Sequence, residues 1–553
     1  MNRRRFINYL GTGGLASCAS AVDATAHGDK PIRREAGMNF GAPVPAMAEG
    51  ARVRRISLQD YRQRVYGAWA GSIVGTIFGF PFEGQRANVN EHLDHFLDSY
   101  TCAPVDDDYY YEMVALYGFE RHGVGMTVEQ LGEMWKEYQA GSWGSSEQAR
   151  LLLEQGIKAP HTGEPRYNRW FHTIGAQFSS DLYGMIAPGM INLAARTARR
   201  YSHVNGYAEG SDGAVFVAGC VSEAFFETDP EKIVRQAASL ISPQSNYRQA
   251  LDQVLEGFSR KKNWRVLARE VEDRWRPDYP QMNNSVANGA LVALALLYGQ
   301  GDYLRSLNIV TGTDDYTDAD CNGDNVGSVL GAAGGVKAIP PAMLSALHDR
   351  IHGDSMGPVK FRQVIDARIS DLAARIAEVG RKLLLANRAK EAEDALLIPQ
   401  EQAKEQPLEC FDINEYGSLW DAAWTLTHAG RGGPGATYLQ WQDNTLVTFP
   451  RDTRPCRLER AAQLPNRASR LRLRVGCLPD QPWRLQVFAN DSAVLTEVVS
   501  SNASDSAPHY REFQIDLSKL AGQSVRLRLY HWLIDGKPAA SAYWQKAEIQ
   551  EGN

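Results

Sequence analysis

Long basic runs are missing from this 553-residue chain, apart from the arginines at its extreme N-terminus. Lys and Arg total 59 against 65 acidic residues, a net charge of -6, which argues against a dedicated nucleic-acid binder. Cysteine is scarce, and seven in such a length do not make a disulfide framework. Apolar stretches stop short of a spanning helix, broken by polar residues or by proline. Alternating β-branched runs are absent between residues 57 and 388, which excludes a sheet-built core there. What remains is 44% hydrophobic and 22% charged, ordinary for a globular protein with a sizeable core. The length favours more than one domain.

The N-terminus reads as an export signal over residues 1–25. Arg3-Arg4-Arg5-Phe6-Ile7 resembles a twin-arginine motif, and Leu10, Gly14, Leu15 and Ala16 follow as a modest apolar stretch. Leu15-Ala16-Ser17-Cys18 resembles a bacterial lipobox, in which Cys18 would be acylated after cleavage. A periplasmic location follows, with contact to the membrane only through that anchor. Residues 26–52 are rich in Ala, Gly, Pro and charge and read as a tether.

From residue 53 to 388 the pattern is helical. Ser57-Leu58-Gln59-Asp60 has capping-box character, and Tyr61, Val65 and Trp69 follow at helical spacing. Further helices are predicted at 109–122, 128–139, 145–155, 188–201, 213–226, 230–241, 246–257, 283–299, 322–335 and 359–387. Residues 389–407 are charged and weakly apolar, and read as a linker. Beyond them the period becomes two. Leu471, Leu473 and Val475 alternate with Arg, and Leu485 with Val487, Phe513 with Ile515, and Val525 with Leu527 repeat the pattern. Residues 408–553 are therefore an antiparallel β-sandwich. Its tryptophans include Trp420, Trp424, Trp483, Trp532 and Trp544.

Two glycine ridges stand out in the helical part. Gly67, Gly71, Gly75 and Gly79 recur every fourth residue and end in Phe80-Pro81-Phe82-Glu83. Gly323, Gly327, Gly331 and Gly335 form the second ridge. Glycine inside a helix costs about 1 kcal/mol against Ala, so four in register need a compensation. Close approach of two helix backbones supplies one. A membrane-spanning reading is set aside because Pro81 ends a stretch of under about 20 uncharged residues.

Each ridge neighbours an acidic cluster. Asp318-Ala-Asp320-Cys321-Asn322 runs directly into the second ridge, and Asp106-Asp107-Asp108 opens another apolar helical segment. Carboxylates are hard oxygen ligands, and helix N-termini favour anions, so both clusters suit Mg²⁺ or a similar cation. Alone, three aspartates at a helix start read as a solvated cap. If the two clusters meet, their combined charge cannot stay buried without metal.

These motifs together resemble the ADP-ribosylglycohydrolase family. Gly67-Ala-Trp-Ala-Gly71-Ser-Ile-Val-Gly75-Thr-Ile-Phe-Gly79-Phe-Pro81-Phe-Glu83 looks like its N-terminal helix motif. Asp106-Asp107-Asp108 resembles its first acidic motif, and Asp318-Ala-Asp320-Cys321-Asn322-Gly323 its second. Ile174-Gly-Ala-Gln177 with Asp181, Gly184 and Ala187-Pro188-Gly189, then Ser202-His203 and Asp212-Gly213, resemble a middle segment. The resemblance covers roughly residues 57–385. Departures are Thr76 where the family often has Asp, Val105 where it often has Thr, and Cys321 where Thr or Ser is common.

The resemblance implies an all-α fold with two Mg²⁺ ions in a cleft, Mn²⁺ being an alternative. Carried onto this chain, Asp106, Asp107, Asp108, Asp318 and Asp320 would hold the metals. Glu83 and Asp107 would be the catalytic carboxylates. His203 would sit near the substrate, with Asn322 a further binding candidate. From their own chemistry, Tyr109 and Trp143 either line a sugar cleft by stacking or pack within the protein. Thiol is a poor Mg²⁺ ligand, so Cys321 is not expected to coordinate through sulfur. The family's usual substrate is an ADP-ribosyl group. For an exported protein, a pentofuranosyl glycoside or extracellular glycan is the expected alternative. A silent carbohydrate-binding protein on the same scaffold is the third reading. The last part of the sandwich, from Asp516 to Leu529 and then Tyr543-Trp544, resembles galactose-binding-like jelly rolls.

Overall fold

The computed structural model describes residues 52–90, 92–93, 100–138, 140–353, 356, 366–429, 436–450 and 453–551. The export signal and all of the tether but Arg52 lie outside them. The chain divides into two compact units: Trp420–Gly430 with Gln442–Asn553, and Pro45–Leu419 with Arg431–Trp441.

The larger unit is helical. Its first helix, Leu58–Gly79, starts where predicted, with Ser57 as N-cap accepting the Asp60 amide at 2.9 Å. It ends at the short turn Phe80–Phe82, where Pro81 cannot continue the ladder. By length and apolarity Leu58–Phe82 could cross a membrane, but 78% of its apolar window is buried inside the protein. That is a core helix. Against it lies Ala319–Gly334, the second ridged helix. The two run antiparallel along their glycines. A Cβ on Gly67 would meet Gly331 and Gly335, one on Gly71 would meet Gly327, and one on Gly75 would lie 1.9 Å from the Gly323 carbonyl oxygen. At the far end a Gly79 Cβ would sit 2.3 Å from the Asp320 Cα. The glycine stripe thus makes a backbone-to-backbone seam, and that seam sets the end of the first helix, just before Glu83, beside the Asp318–Asp320 start of the second.

Other helices match the predictions closely, including Asp107–His122, Val128–Glu137 and Gly144–Glu154. Trp264–Trp275 and Tyr303–Thr311 were not anticipated, although Asn263 and Asp302 cap them. The helix expected at 359–387 begins only at Ile369, behind the strand Asp366–Arg368, and residues 357–365 lie outside the described ones.

The expected linker 389–407 is structured. Ala395–Pro399 pairs antiparallel with Val53–Ser57, and Lys390–Ala392 forms the other side of that strand. Leu396 and Ile398 are fully buried, which outweighs the charge around them. The chain then straps the helical unit. Gln406 donates its amide to Leu240, Lys404 donates to Asn192, and the Tyr416 hydroxyl reaches the Pro165 carbonyl. By its contacts this unit runs to Leu419.

The smaller unit is the expected antiparallel sandwich. One sheet has the spatial order Ser492–Val499, Trp483–Ala489, Ser524–Trp532, Cys456–Gln463, Thr425–Thr427. The other includes His509–Asp516, Ser469–Cys477, Ala542–Glu551 and Thr445–Thr448 in that order. Alternate residues face inward: Leu471, Leu473, Val475, Leu485, Val487, Leu527 and Leu529 are all inaccessible. Trp483 and Trp544 meet in this core with ring centres 5.4 Å apart.

Candidate metal centre

Asp106 is the N-cap of Asp107–His122, its side chain accepting the Asp108 amide at 3.3 Å. Asp106 is therefore a cap, but not a solvated one. Asp106, Asp107 and Asp108 are all buried, and one oxygen from each lies within 4.8 Å of the others. Asp318, Asp320 and Cys321 form a second such group at the start of the second ridged helix.

The two groups meet. The Cys321 thiol donates to Asp108 Oδ1 at 3.1 Å. Burial first, then the charges of Asp106, Asp320, Asp324 and Asp107, push the Asp108 carboxyl well above its usual range. Asp318 is raised to about 7 by burial and then by Glu83, with Asp320 and Cys321 pulling the other way through hydrogen bonds. Glu83 is brought there by the turn after the first ridge, where the Gly84 amide donates to the Thr317 carbonyl at 2.9 Å. The Cys321 thiol is likewise pushed well up, by burial and then by Asp108. It stays protonated and acts as a donor, not a thiolate ligand.

The residues fit a hard divalent cation. Asp108 Oδ2 and Asn322 Oδ1 are buried and find no protein donor. Crowded buried carboxylates raise one another, and a divalent cation would offset that repulsion. Asp106, Asp107, Asp108, Asp318 and Asp320 would hold it.

Behind this centre lies a second acidic layer that the sequence reading did not single out as a site. Glu112, Asp181 and Asp324 are fully buried, and burial raises each of them, followed by the charge of a neighbour in the same trio. Asn325 donates to Asp324 at 3.0 Å and Gln177 donates to Asn325 at 3.1 Å, so the middle segment braces the second ridge. Thr76 Oγ1 lies 3.5 Å from Asp324 Oδ1. A carboxylate thus reaches position 76 from the facing helix. The signal was present in the 318–325 run, but Asp324 stands inside a glycine repeat that reads as packing.

The expected substrate residues separate. Asn322 belongs to the centre, its amide donating to Asn288 Oδ1 at 2.7 Å while Asn288 also receives the Asp318 amide. Trp143 is 38% exposed and sits at the N-cap of Gly144–Glu154. Tyr109 is corrected: it is inaccessible, its hydroxyl donates to the Pro104 carbonyl, and its ring packs edge-on against Trp69. It is a packing residue.

His203 is also corrected. It is held by Glu409 of the strap at 2.8 Å, beside the Arg199–Glu409 pair at 3.2 Å, and touches none of the carboxylates of the centre. Burial alone would raise the Glu409 carboxyl, but Arg199 and His203 outweigh it and hold it at about 2. A carboxyl lowered from 4.5 contributes stability that is present above 4.5 and lost as pH falls toward 2. Glu409→Gln is expected to lower stability at pH 7 by about 2 kcal/mol, because buried Arg199 loses one of its two carboxylates and keeps Asp212 at 2.6 Å. Urea unfolding at pH 7 and at pH 3 would show the difference from wild type shrinking in acid.

A cavity of about 610 Å³ lined by His92, Trp264, Asp302 and Arg305 contains none of these carboxylates. Volume and chemistry point to different places, and the chemistry favours the buried acidic centre.

An all-α domain whose glycine-zipped helices gather acidic motifs at one end defines the class. The model of the ADP-ribosylglycohydrolase family matches residues 57–383, more than half of the chain, and the protein belongs to that family. Among solved structures, an ADP-ribosylglycohydrolase-related protein complex is 16% identical over 58% of this chain and 99% of its own, with a TM-score of 0.41. The K1 cleaved adhesin domain of Lys-gingipain from Porphyromonas gingivalis W83 is 15% identical over 24% of this chain and 84% of its own, TM-score 0.18. TmCBM61 in complex with beta-1,4-galactotriose is 9% identical over 24% of this chain and 84% of its own, TM-score 0.16. No curated protein matches the chain.

Proposed function

We propose that this protein is an exported, Mg²⁺-dependent hydrolase of a glycosidic bond, acting on a pentofuranosyl glycoside or an extracellular glycan. The convergence of the two acidic motifs beside Glu83 supports the chemistry. The N-terminal arginines support the location. Cleavage at an anomeric carbon passes through an oxocarbenium-like state, which nearby carboxylates stabilise. Glu83 takes a proton from the attacking water or gives one to the leaving oxygen. Asp107 orients that water. Bound Mg²⁺ would supply Lewis-acid polarisation of sugar hydroxyls and water.

The experiment is a screen of pentose-containing glycans and an ADP-ribosylated peptide, with and without chelator. Release of reducing sugar that needs Mg²⁺ and is lost in Glu83→Gln is expected. Release of ADP-ribose alone would move the substrate to the family's usual one. Turnover unaffected by chelator, or retained by Glu83→Gln, would overturn the proposal.

A further inference from the structure

One face of the sandwich does not follow the core pattern. In the sheet containing Trp483–Ala489 and Ser524–Trp532, Leu485, Val487, Leu527 and Leu529 point inward. The alternate residues therefore point outward: Arg484, Gln486 and Phe488 on one strand, Arg528, Tyr530 and Trp532 on the next. Register places Arg484 opposite Trp532, Gln486 opposite Tyr530 and Phe488 opposite Arg528. Three aromatic rings thus line up on the outer surface. Phe488 and Tyr530 are 5.7 Å apart edge to face, and Tyr530 and Trp532 are 6.2 Å apart and nearly parallel.

These rings floor a cavity of about 430 Å³, which His428, Arg454, Pro455 and Gln486 complete. That volume falls within the range of small-ligand sites. The Trp532 indole N–H is buried and has no acceptor. The charge is one-sided. Glu459 is already engaged by Arg526 at 2.6 Å, and Asp491 by Arg528 at 3.3 Å. Arg484 is exposed and, among the described residues, has no carboxylate partner. Tryptophan and tyrosine rings outside a core are costly unless something covers them, and they stack well on the C–H faces of pyranose rings. Guanidinium pairs with carboxylate.

We propose that this face is a binding site for an acidic saccharide, a glycan carrying uronate groups. Sugar rings stack along Phe488, Tyr530 and Trp532. Arg484 meets the carboxylates, and Gln486 with the Trp532 N–H takes hydroxyls. A single-stranded nucleic acid would also meet rings and arginines, but it needs a basic track along its phosphates, and Arg526 and Arg528 are already paired with Glu459 and Asp491. The site lies wholly within the smaller unit and is independent of the hydrolase reading.

The test is affinity electrophoresis of the full chain in native gels containing polygalacturonate, neutral galactan or poly(U). Retardation by polygalacturonate is expected, weakened at least tenfold by Trp532→Ala and by Arg484→Gln and reduced by salt. Asp318→Asn should bind as wild type. Circular dichroism confirms that each variant is folded, and Tyr530→Ala provides a second aromatic deletion. No retardation by polygalacturonate, or unchanged retardation of both aromatic variants, overturns the site. Equal retardation by neutral galactan overturns the acidic preference. Equal retardation by poly(U) overturns the saccharide.

Discussion

Metal-free protein carrying Asp108→Asn is expected to melt higher than metal-free wild type while losing its turnover. Asp108 is buried among Asp106, Asp320, Asp324 and Asp107, with burial the leading cause of its raised carboxyl. Asn keeps an acceptor for the Cys321 thiol and removes an acid whose ionised form burial and the neighbouring aspartates penalise. A gain of about 1 kcal/mol corresponds to roughly 2 °C in a unit of this size. In wild type, Mg²⁺ at a hundred times its dissociation constant should add about 2.7 kcal/mol, and the variant should lose most of that response. A catalytic metal contributes several kcal/mol of charge stabilisation, so turnover should fall by about 10²–10³-fold. Calorimetry with and without Mg²⁺ checks the first part without needing a substrate. Identical melting of both proteins in chelator and in Mg²⁺ would refute the assignment.

Gly75→Ala should be among the most destabilising single changes available. Its Cβ would sit 1.9 Å from the Gly323 carbonyl oxygen and 2.5 Å from its carbon, where only backbone movement relieves the clash. Overpacking usually costs about 1–3 kcal/mol, and a rigid backbone seam puts this case at or above the upper end. The ridge also spaces Glu83 from Asp318, so turnover should suffer in whatever fraction folds. Gly125→Ala is the control. It has nothing within 4 Å and no left-handed backbone, and should change stability by less than about 0.5 kcal/mol. Denaturant unfolding of the two variants side by side decides the matter, and comparable losses would show that the seam is more pliable than its geometry suggests.

Much of this was legible because the residues involved are chemically extreme. Four glycines at one spacing have few uses inside a helix, and the seam between Gly67–Gly79 and Gly323–Gly335 is the one that close packing suggests. Aspartates at helix starts point to anion-tolerant positions, so both acidic groups could be placed before any fold was known. Other features were hidden by composition. Residues 389–407 look solvated because their charges outnumber Leu396 and Ile398, yet those two decide the pairing with Val53–Ser57. Tyr109 follows an acidic triple and so looked site-lining, while helical periodicity turned it into the core. His203 lacked any local sign of its partner, because Glu409 arrives from about two hundred residues away. Asp324 and Glu112 were overlooked because isolated acids within apolar helices announce nothing until a third carboxylate is found beside them.

The register that sets Val53 against Pro399 has a topological consequence. Entry and exit of the polypeptide lie on neighbouring rungs, so the helices between them form a closed loop in sequence that can be spliced into a host at a single surface point. An excised fragment cut at the edges of the family match, 57 and 383, would discard both rungs and the strap beyond them. The natural unit of expression is the longer one.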